Sequence, residues 1–268
     1  MQTLQAIKDS KPTYMSSPAW TETPWKLKPK APVDGLIDFL TQAPDIYVEV
    51  ANLKHLSPRA LLSKTLDLID RCWELHDKVQ AFFSDFESTL PGGLYEPHLS
   101  METNPADDPA KGKVFPVAFH FRNLGLANIA LWYWTIKLLI CSGMADGFYS
   151  IIHKMKSDPH IANADCGYCD TCLAEEPGCL TRARLNGLRP LGECKDYWTM
   201  AWNICQSFEC CMQMMGIGPI AVTAPLTIVA EVLKTHPEKE RETRWVKASL
   251  KKIEERGLRF LGFVDCMD

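Results

Sequence analysis

The sequence lacks an excess of basic residues. Its 29 lysines and arginines are outnumbered by 33 aspartates and glutamates, which gives a formal net charge of −4. Proteins that bind duplex DNA gain much of their affinity from a basic face that displaces counterions from the phosphates. The charge balance therefore disfavours direct binding to nucleic acid.

A secretory signal and a long apolar run are also missing. The first ten residues, MQTLQAIKDS, contain neither a continuous apolar segment nor a small-residue cleavage site. A membrane-spanning helix needs roughly 18 or more apolar residues, and the longest candidate, Leu124–Cys141, is interrupted by Asn128 and Lys137. We expect an intracellular protein, cytoplasmic or nuclear, without a membrane span.

Motifs for common cofactors and for several enzyme classes are missing as well. The sequence has no G-x-G-x-x-G, no phosphate-binding loop, no H-E-x-x-H, no G-x-S-x-G and no D-D-x-x-D-like carboxylate helix. Nucleotide chemistry, redox-cofactor chemistry and terpene-ionising chemistry are therefore unsupported. We expect no cofactor.

What the sequence has in abundance is cysteine, with 11 in 268 residues. In a protein that is not exported, cysteines are expected as reduced thiols, either buried or bound to metal. Four of them, Cys166, Cys169, Cys172 and Cys179, lie within a Cys-rich loop, residues 157–195. Thiolates at two-residue intervals can hold one tetrahedral zinc ion. The alternative is a loop of solvent-facing free thiols.

Hydrophobic periodicity predicts an all-α fold. Apolar side chains recur at helical spacing from Leu61 to Phe86, and no alternating strand pattern of useful length is present. The segment ANIALWYWTIKLLIC is apolar on nearly all sides, which is typical of a buried central helix. The first predicted helix begins near Val33, and the later ones cover about Ser57–Leu90, Leu124–Ser142, Asp196–Met215, Ala221–Leu233 and Glu238–Arg256.

Residues 1–35 are predicted to form an irregular strap in front of a single helical domain, residues 36–268. Prolines recur too often in this segment for a helix, because each removes a backbone donor. The segment nevertheless contains Trp20 and Trp25 in SSPAWTETPW. Two tryptophans in a proline-rich arm suggest that the strap packs onto the domain.

Several segments taken together resemble the C-terminal, fungal-specific regulatory domain of fungal transcription factors that carry a six-cysteine binuclear zinc cluster. The segments are KPTYMSSPAWTETPW, LLSKTLDLIDRCWELHDKVQAFF, GKVFPVAFHFRNLGLANIALWYW, ICQSFECCMQMMGIGPIAVTAPLTIVAEVL and RETRWVKASLKKIEERGLRFLGF. They occur in the family's order and cover most of the chain. The resemblance implies an all-helical domain, a nuclear-regulator ancestry and a role in sensing a small molecule. It implies no catalytic residues.

The chain departs from this family in the part that reads DNA. Family members carry a zinc cluster, a linker and a dimerising coiled coil before this region, whereas this chain opens with Met1 where the regulatory half begins. Cys169, Cys172 and Cys179 reproduce the spacing of half a zinc cluster, but the second half is missing and the surrounding charges are acidic. We therefore expect no sequence-specific DNA binding by this chain alone.

One predicted helix face combines aromatic residues with a carboxylate. On Asp196–Met215, helical spacing places Trp198, Trp202, Glu209 and Met212 together, with Gln206 beside them. An ionised carboxylate is costly to bury there without a partner. Glu209 is therefore either a structural residue paired with an Arg or Lys of a neighbouring helix, or an acid–base group with a raised pKa.

A second candidate acid–base residue precedes the central helix. His120 stands between Phe119 and Phe121 in FPVAFHF, and a histidine can exchange a proton near neutral pH. The alternative is a hydrogen-bonded core histidine that fixes the helix entry. Within the central helix, Trp134 is a candidate wall of a cavity, and it could equally be an ordinary core residue.

Two functional hypotheses follow. In the first, the chain binds a hydrophobic metabolite in an apolar cavity between the Leu124–Ser142 and Asp196–Met215 helices and catalyses a cofactor-independent cyclisation or isomerisation. His120 and Glu209 are its candidate catalytic residues, and its candidate ligand-binding residues are Trp134, Trp198, Trp202, Gln206 and Met212. In the second, the chain is a truncated regulator that acts through protein contacts. Self-association is compatible with both.

Overall fold

The computed structural model describes residues 2–157, 184–214 and 216–257. Helices make up 69% of the structure and strands 4%, so the predicted all-α class is confirmed. The α-helices of the described chain are α1 (Gln2–Lys8), α2 (Pro18–Thr21), α3 (Pro32–Leu40), α4 (Ala43–Leu53), α5 (Pro58–Ser88), α6 (Leu124–Ser142), α7 (Tyr149–Ser157), α8 (Trp198–Gln206), α9 (Phe208–Gln213), α10 (Gly218–Leu233) and α11 (Glu240–Glu255).

Two short strands, β1 (Glu96–Leu99) and β2 (Val117–His120), form an antiparallel pair. The contact pattern divides the chain into two compact units. The first unit comprises Met1–Pro29, Ile37–Gln80 and Ile140–Asp196. The second unit comprises Lys30–Leu36, Ala81–Leu139 and Tyr197–Asp268.

The central helix α6 has the predicted bounds, Leu124–Ser142. It begins there because the side-chain oxygen of Asn123 accepts a hydrogen bond from the Leu126 N–H at 3.0 Å, which satisfies one of the free donors of the first turn. The helical stretch of residues 124–155 is long and apolar enough to cross a membrane by length and composition. However, 72% of its most apolar window is buried inside the protein, as in a core helix.

The prediction of one helix over Asp196–Met215 is wrong. A 3-10 segment, Gly192–Asp196, is followed by α8 and then by α9, with Ser207 between them. The Ser207 hydroxyl donates to the carbonyl of Asn203 at 2.8 Å, and its N–H is shared between the carbonyls of Asn203 and Ile204. A serine that bonds back to the preceding turn disturbs the helical ladder.

The N-terminal segment is more helical than predicted. It begins with α1, and two of its prolines, Pro18 and Pro24, lie in the first turn of a short helix, where the missing N–H costs nothing. Trp20 is 52% exposed, and its ring lies 5.5 Å from that of Tyr14. The described ring contact of Trp20 is therefore local, whereas α1 of the same segment packs against α4.

In the first unit, α1 packs against α4 through its buried face, which includes Leu4 and Ile7. A hydrogen bond of 3.0 Å from Trp73 Nε1 to the Tyr149 hydroxyl joins α5 to α7. In the second unit, α10 contacts α8, α9 and α11, and its apolar residues are buried on nearly every side. The α9 helix also packs against β2, which places α9 beneath the strand pair.

Candidate functional site

The predicted catalytic and ligand-binding residues all belong to the second unit, but the structure distributes them over separate places. Glu209 lies in α9 and His120 ends β2, while Trp134 lies in α6. Trp198 and Trp202 lie in α8. Each place has its own chemistry.

Glu209 is the centre of a hydrogen-bonded turn. Its side chain is buried, with 5% of the residue exposed. Its Oε2 atom accepts hydrogen bonds from the Ser100 hydroxyl at 2.8 Å, the Met101 N–H at 3.0 Å and the Glu102 N–H at 3.1 Å. These donors belong to the chain just after β1. The partner of the carboxylate is thus this turn, where the sequence suggested an Arg or Lys of a neighbouring helix.

The same contacts decide the protonation state of Glu209. Burial acts to raise its pKa, but the hydrogen bonds from Ser100, Glu102 and Met101 outweigh burial, and the pKa lies below the usual range of a glutamate. The group is therefore a carboxylate at neutral pH. This geometry favours a structural anchor over a proton donor.

His98 is a neighbour of Glu209 that no sequence pattern indicates. Its Nε2 atom lies 4.0 Å from Oε1 of Glu209, and its Nδ1 atom is buried without a hydrogen-bond partner among the described residues. The ring of His120 lies 6.2 Å from the ring of His98, and His120 itself is exposed opposite Glu96. His120 is therefore a surface residue of the strand pair, and His98 stands nearer to the carboxylate.

Trp134 is an ordinary core residue. It is 4% exposed, and its ring lies 5.9 Å from that of Tyr95, 6.0 Å from Phe119 and 6.4 Å from Phe121. Edge-to-face and tilted rings at such distances are the usual packing of aromatic cores. These neighbours occupy the space around Trp134 and do not include the tryptophans of α8.

Trp198 and Trp202 form a partly exposed surface, which we call the aromatic platform. Their rings lie 5.2 Å apart with an interplanar angle of 18°, and both side chains are half-buried. The Lys239 ammonium lies 5.4 Å from the Trp198 ring and 5.7 Å from the Trp202 ring. Phe115 supports Trp202 at 5.4 Å. The platform thus combines a flat apolar face with one positive charge.

A chain of three polar side chains lies beside this platform. The hydroxyl of Tyr197 lies 3.0 Å from Nε2 of His236, and Nδ1 of His236 lies 3.0 Å from a carboxylate oxygen of Glu238. The His236 ring meets Trp198 edge-on at 4.9 Å. When Nδ1 donates to Glu238, Nε2 is left as the acceptor for Tyr197. This order is that of a phenol–imidazole–carboxylate relay.

Gln206 and Met212 do not join the platform as predicted ligand contacts. Gln206 is the half-buried last residue of α8. Met212 is buried in α9, and its carbonyl accepts a hydrogen bond from Arg256 at 2.6 Å. Trp202 lies in α8 and Met212 lies in α9, on either side of Ser207.

The first unit has a small surface notch. Its volume is about 100 Å³, and charged side chains of α5 contribute much of its lining. The lining residues are Gln42, Ile46, Arg71, Glu74, Leu75 and Lys78. Such a notch suits water or a small polar group better than a hydrophobic metabolite.

The described cysteines correct one expectation. Cys141 and Cys194, expected as reduced thiols, form a disulfide in the first unit. A ring nitrogen of His76 and the two sulfur atoms all lie within 4.8 Å of one another, and all three residues are buried. The predicted zinc ligands Cys166, Cys169, Cys172 and Cys179 lie outside the described residues.

Comparisons with known proteins identify no relative of this chain. The sequence matches no protein-family model, no curated protein and no solved structure. The resemblance to the fungal regulatory domain therefore stays a prediction. The candidate function depends on the geometry alone.

Proposed function

We propose that this chain binds a small aromatic molecule with a negative charge on the aromatic platform of the second unit. The observation that supports this proposal is the near-parallel, half-buried pair of Trp198 and Trp202 with the Lys239 ammonium above both rings. A sensing role of this kind also agrees with what the resemblance to a regulatory domain implies.

Both indole rings are half-buried, so part of their surface is open to solvent. The two indoles stack on each other, so a flat ligand can stack on the outer exposed face of one of them. Stacking an aromatic pair contributes about 0.5–1.5 kcal/mol beyond the burial of area. Lys239 is held near the rings by a cation–π interaction, which at an exposed site is worth about 0.5–1 kcal/mol. A carboxylate on the ligand would pair with this ammonium without displacing a buried partner.

A narrower candidate function is a proton-transfer reaction on the bound molecule, such as a cofactor-independent isomerisation. The observation that favours it is the relay of Tyr197, His236 and Glu238 next to Trp198. A ligand stacked on Trp198 would lie beside this relay, whose imidazole can act as an acid–base group. Tyr197 and Glu238 would fix the tautomer.

The binding proposal is tested with two ligands of the same shape, 2-naphthoate and its uncharged amide, 2-naphthamide. Their affinities are measured by isothermal titration calorimetry for the wild type, Trp202→Leu and Lys239→Gln. We expect Trp202→Leu to lower the affinity for both ligands. Lys239→Gln should weaken only the naphthoate, by about threefold to tenfold, which corresponds to the loss of one charge pair.

The matched control is Trp20→Leu, because Trp20 is an exposed tryptophan of the first unit. It should bind both ligands as the wild type does. Equal weakening by Trp20→Leu, or no measurable binding to the wild type, would remove the platform as a site and favour a regulator that acts through protein contacts.

The narrower function is tested with phenylpyruvate, an aromatic carboxylate whose enol and keto forms interconvert by proton transfer alone. Ultraviolet absorbance follows ketonisation of the enol with the wild type, with His236→Asn and in buffer. We expect the wild type to accelerate ketonisation. With His236→Asn, the rate should equal that in buffer. A wild-type rate equal to that in buffer would end the catalytic candidate and leave the binding proposal intact.

A further inference from the structure

The buried group of Cys141, Cys194 and His76 in the first unit has the composition of a metal site. Cys141 lies in the last turn of α6, Cys194 lies in the 3-10 segment Gly192–Asp196, and His76 lies in the middle of α5. Their exposed fractions are 2%, 0% and 2%, respectively. The two cysteines are 53 residues apart in sequence, and their Cα atoms lie 4.7 Å apart. Three distant segments therefore converge on one point.

The distances suit a tetrahedral zinc ion once the disulfide is reduced. With Zn–S bonds of about 2.3 Å and Zn–N bonds of about 2.0 Å, tetrahedral ligand atoms lie roughly 3.3–3.8 Å apart. The nitrogen and both sulfur atoms already lie within 4.8 Å of one another. Two thiolates and one imidazole are also the donors that zinc prefers.

The surroundings of His76 match those of a metal-binding histidine. Its Nδ1 atom lies 3.0 Å from a carboxylate oxygen of Asp77, and Asp77 is paired with Arg189 at 2.7 Å. The Arg189 guanidinium is held in turn over the Trp73 ring, 3.9 Å from its centroid. Metal-bound histidines commonly donate their second N–H to a carboxylate, which fixes the ring. Nε2 is then the nitrogen that would bind the metal.

An oxygen donor is available for the fourth position. Glu193 precedes Cys194 in sequence, and its Oε1 atom lies 2.9 Å from Nε2 of His76. In the disulfide form this carboxylate is a hydrogen-bond partner of the imidazole. With a metal on Nε2, the same carboxylate is within reach of the fourth position of the tetrahedron.

We propose that Cys141, Cys194 and His76 bind one Zn²⁺ when the disulfide is reduced, with Glu193 as the fourth ligand. Two equivalents of a small thiol reduce the S–S bond, giving two protein thiols and one small-molecule disulfide. The two thiols then lose two protons as their sulfur atoms bind Zn²⁺. The site therefore alternates between a disulfide form without metal and a dithiolate form with zinc.

The test separates this site from the other cysteines. A full-length parent carrying Cys166→Ser, Cys169→Ser, Cys172→Ser and Cys179→Ser removes four of the five cysteines in residues 157–195 and keeps Cys194. The parent is incubated with excess ZnSO₄, either after reduction by a thiol or in the oxidised form. It is then freed of unbound metal, and zinc per chain is measured by mass spectrometry. We expect about one zinc in the reduced protein and none in the oxidised protein.

Variants in the parent identify the ligands. Cys194→Ser and His76→Asn should each lower the affinity for zinc by at least tenfold. Cys72→Ser should retain it, because Cys72 is a buried thiol of the same unit, one turn before His76 in α5. Cobalt bound to the reduced parent should show the visible bands of a tetrahedral site with thiolate ligands, and Cys194→Ser should lose the thiolate contribution.

Two results would overturn the proposal. One is the absence of bound zinc in the reduced parent while its circular dichroism matches that of the wild type. The other is unchanged zinc binding in Cys194→Ser. Should the parent fail to fold, the same measurement on the reduced wild type and its Cys194→Ser variant decides, since the proposal requires a difference of one zinc per chain.

Discussion

The Ser100 hydroxyl donates a hydrogen bond of 2.8 Å to the Glu209 carboxylate across 109 residues of sequence. This contact joins the end of β1 to α9 and is reinforced by the N–H groups of Met101 and Glu102. A carboxylate that receives three donors fixes the course of the chain between β1 and the following loop. It therefore contributes to stability in a way that can be measured.

We expect Glu209→Gln to destabilise the protein by about 2 kcal/mol, because hydrogen bonds to a charged acceptor are lost and the amide N–H₂ faces backbone donors. The measurement is the free energy of unfolding in urea. Glu255→Gln, at the exposed end of α11, is the control and should change stability little. Equal effects of the two variants would show that the turn around Glu209 is not a stabilising element.

The lowered pKa of Glu209 also predicts a pH dependence. A carboxyl group whose pKa is lower in the folded state stabilises the protein above its unfolded pKa, about 4.3, and this stabilisation is lost as the pH falls through the folded pKa. The stability difference between wild type and Glu209→Gln should therefore be largest near neutral pH and narrow below about pH 4.3. A gap that widens on acidification would contradict the assigned direction of the shift.

Buried Asn104 joins the same loop to α11. Its side-chain N–H₂ donates to the Trp245 carbonyl and the Ser249 hydroxyl, both at 3.1 Å, and its oxygen accepts from the Ala106 N–H at 3.0 Å. Asn104→Ala removes these three buried hydrogen bonds, which should cost about 1–3 kcal/mol. Asn123→Ala removes only the helix cap of α6, and we expect a smaller loss of about 1 kcal/mol. Urea unfolding of both variants checks this order.

The close approach of α9 and α10 requires a glycine at one position. A Cβ atom on Gly218 would lie 2.3 Å from the Cys211 carbonyl oxygen and 2.8 Å from the Met214 Cβ atom. Gly218→Ala must therefore shift the backbone, and we expect a loss of about 1–3 kcal/mol. Gly143→Ala is the control, since nothing lies within 4 Å of its added Cβ. Thermal unfolding that ranks the two variants in the opposite order would contradict this packing.

The helix pattern was predictable where local signals agree. The central helix α6 has an apolar surface on nearly all sides and a capping Asn123, so its bounds could be predicted from the sequence. The break at Ser207 could not, because the spacing of Trp202, Glu209 and Met212 continues through it. A serine that bonds back to the preceding turn has the same sequence appearance as one that does not.

The neighbourhood of Glu209 was not predictable for a different reason. His98 reaches it only because the four-residue strands β1 and β2 pair in a particular register across a long connection. Strands this short give almost no alternating signal. The disulfide was likewise missed, because Cys141 and Cys194 come from segments 53 residues apart, and no spacing rule connects them.

Substitutions of Trp134 in the core and of Trp202 on the aromatic platform should have different effects on stability and on ligand affinity. Trp134 is 4% exposed among three aromatic rings, so Trp134→Leu leaves a cavity and should cost about 3 kcal/mol of unfolding free energy. Trp202 is half-buried, so Trp202→Leu should cost about 1 kcal/mol and act mainly on ligand affinity.

Measuring the free energy of unfolding and the ligand affinity of both variants distinguishes a core residue from a residue of the binding site. Urea unfolding gives the stability, and the affinity for 2-naphthoate is determined at a temperature where each variant stays folded. If Trp134→Leu lowers stability but keeps the affinity while Trp202→Leu does the reverse, the platform is a surface site independent of the core. If the two variants lose affinity equally, the ligand binds beside Trp134, as the sequence first suggested, and the assignment of the platform is wrong.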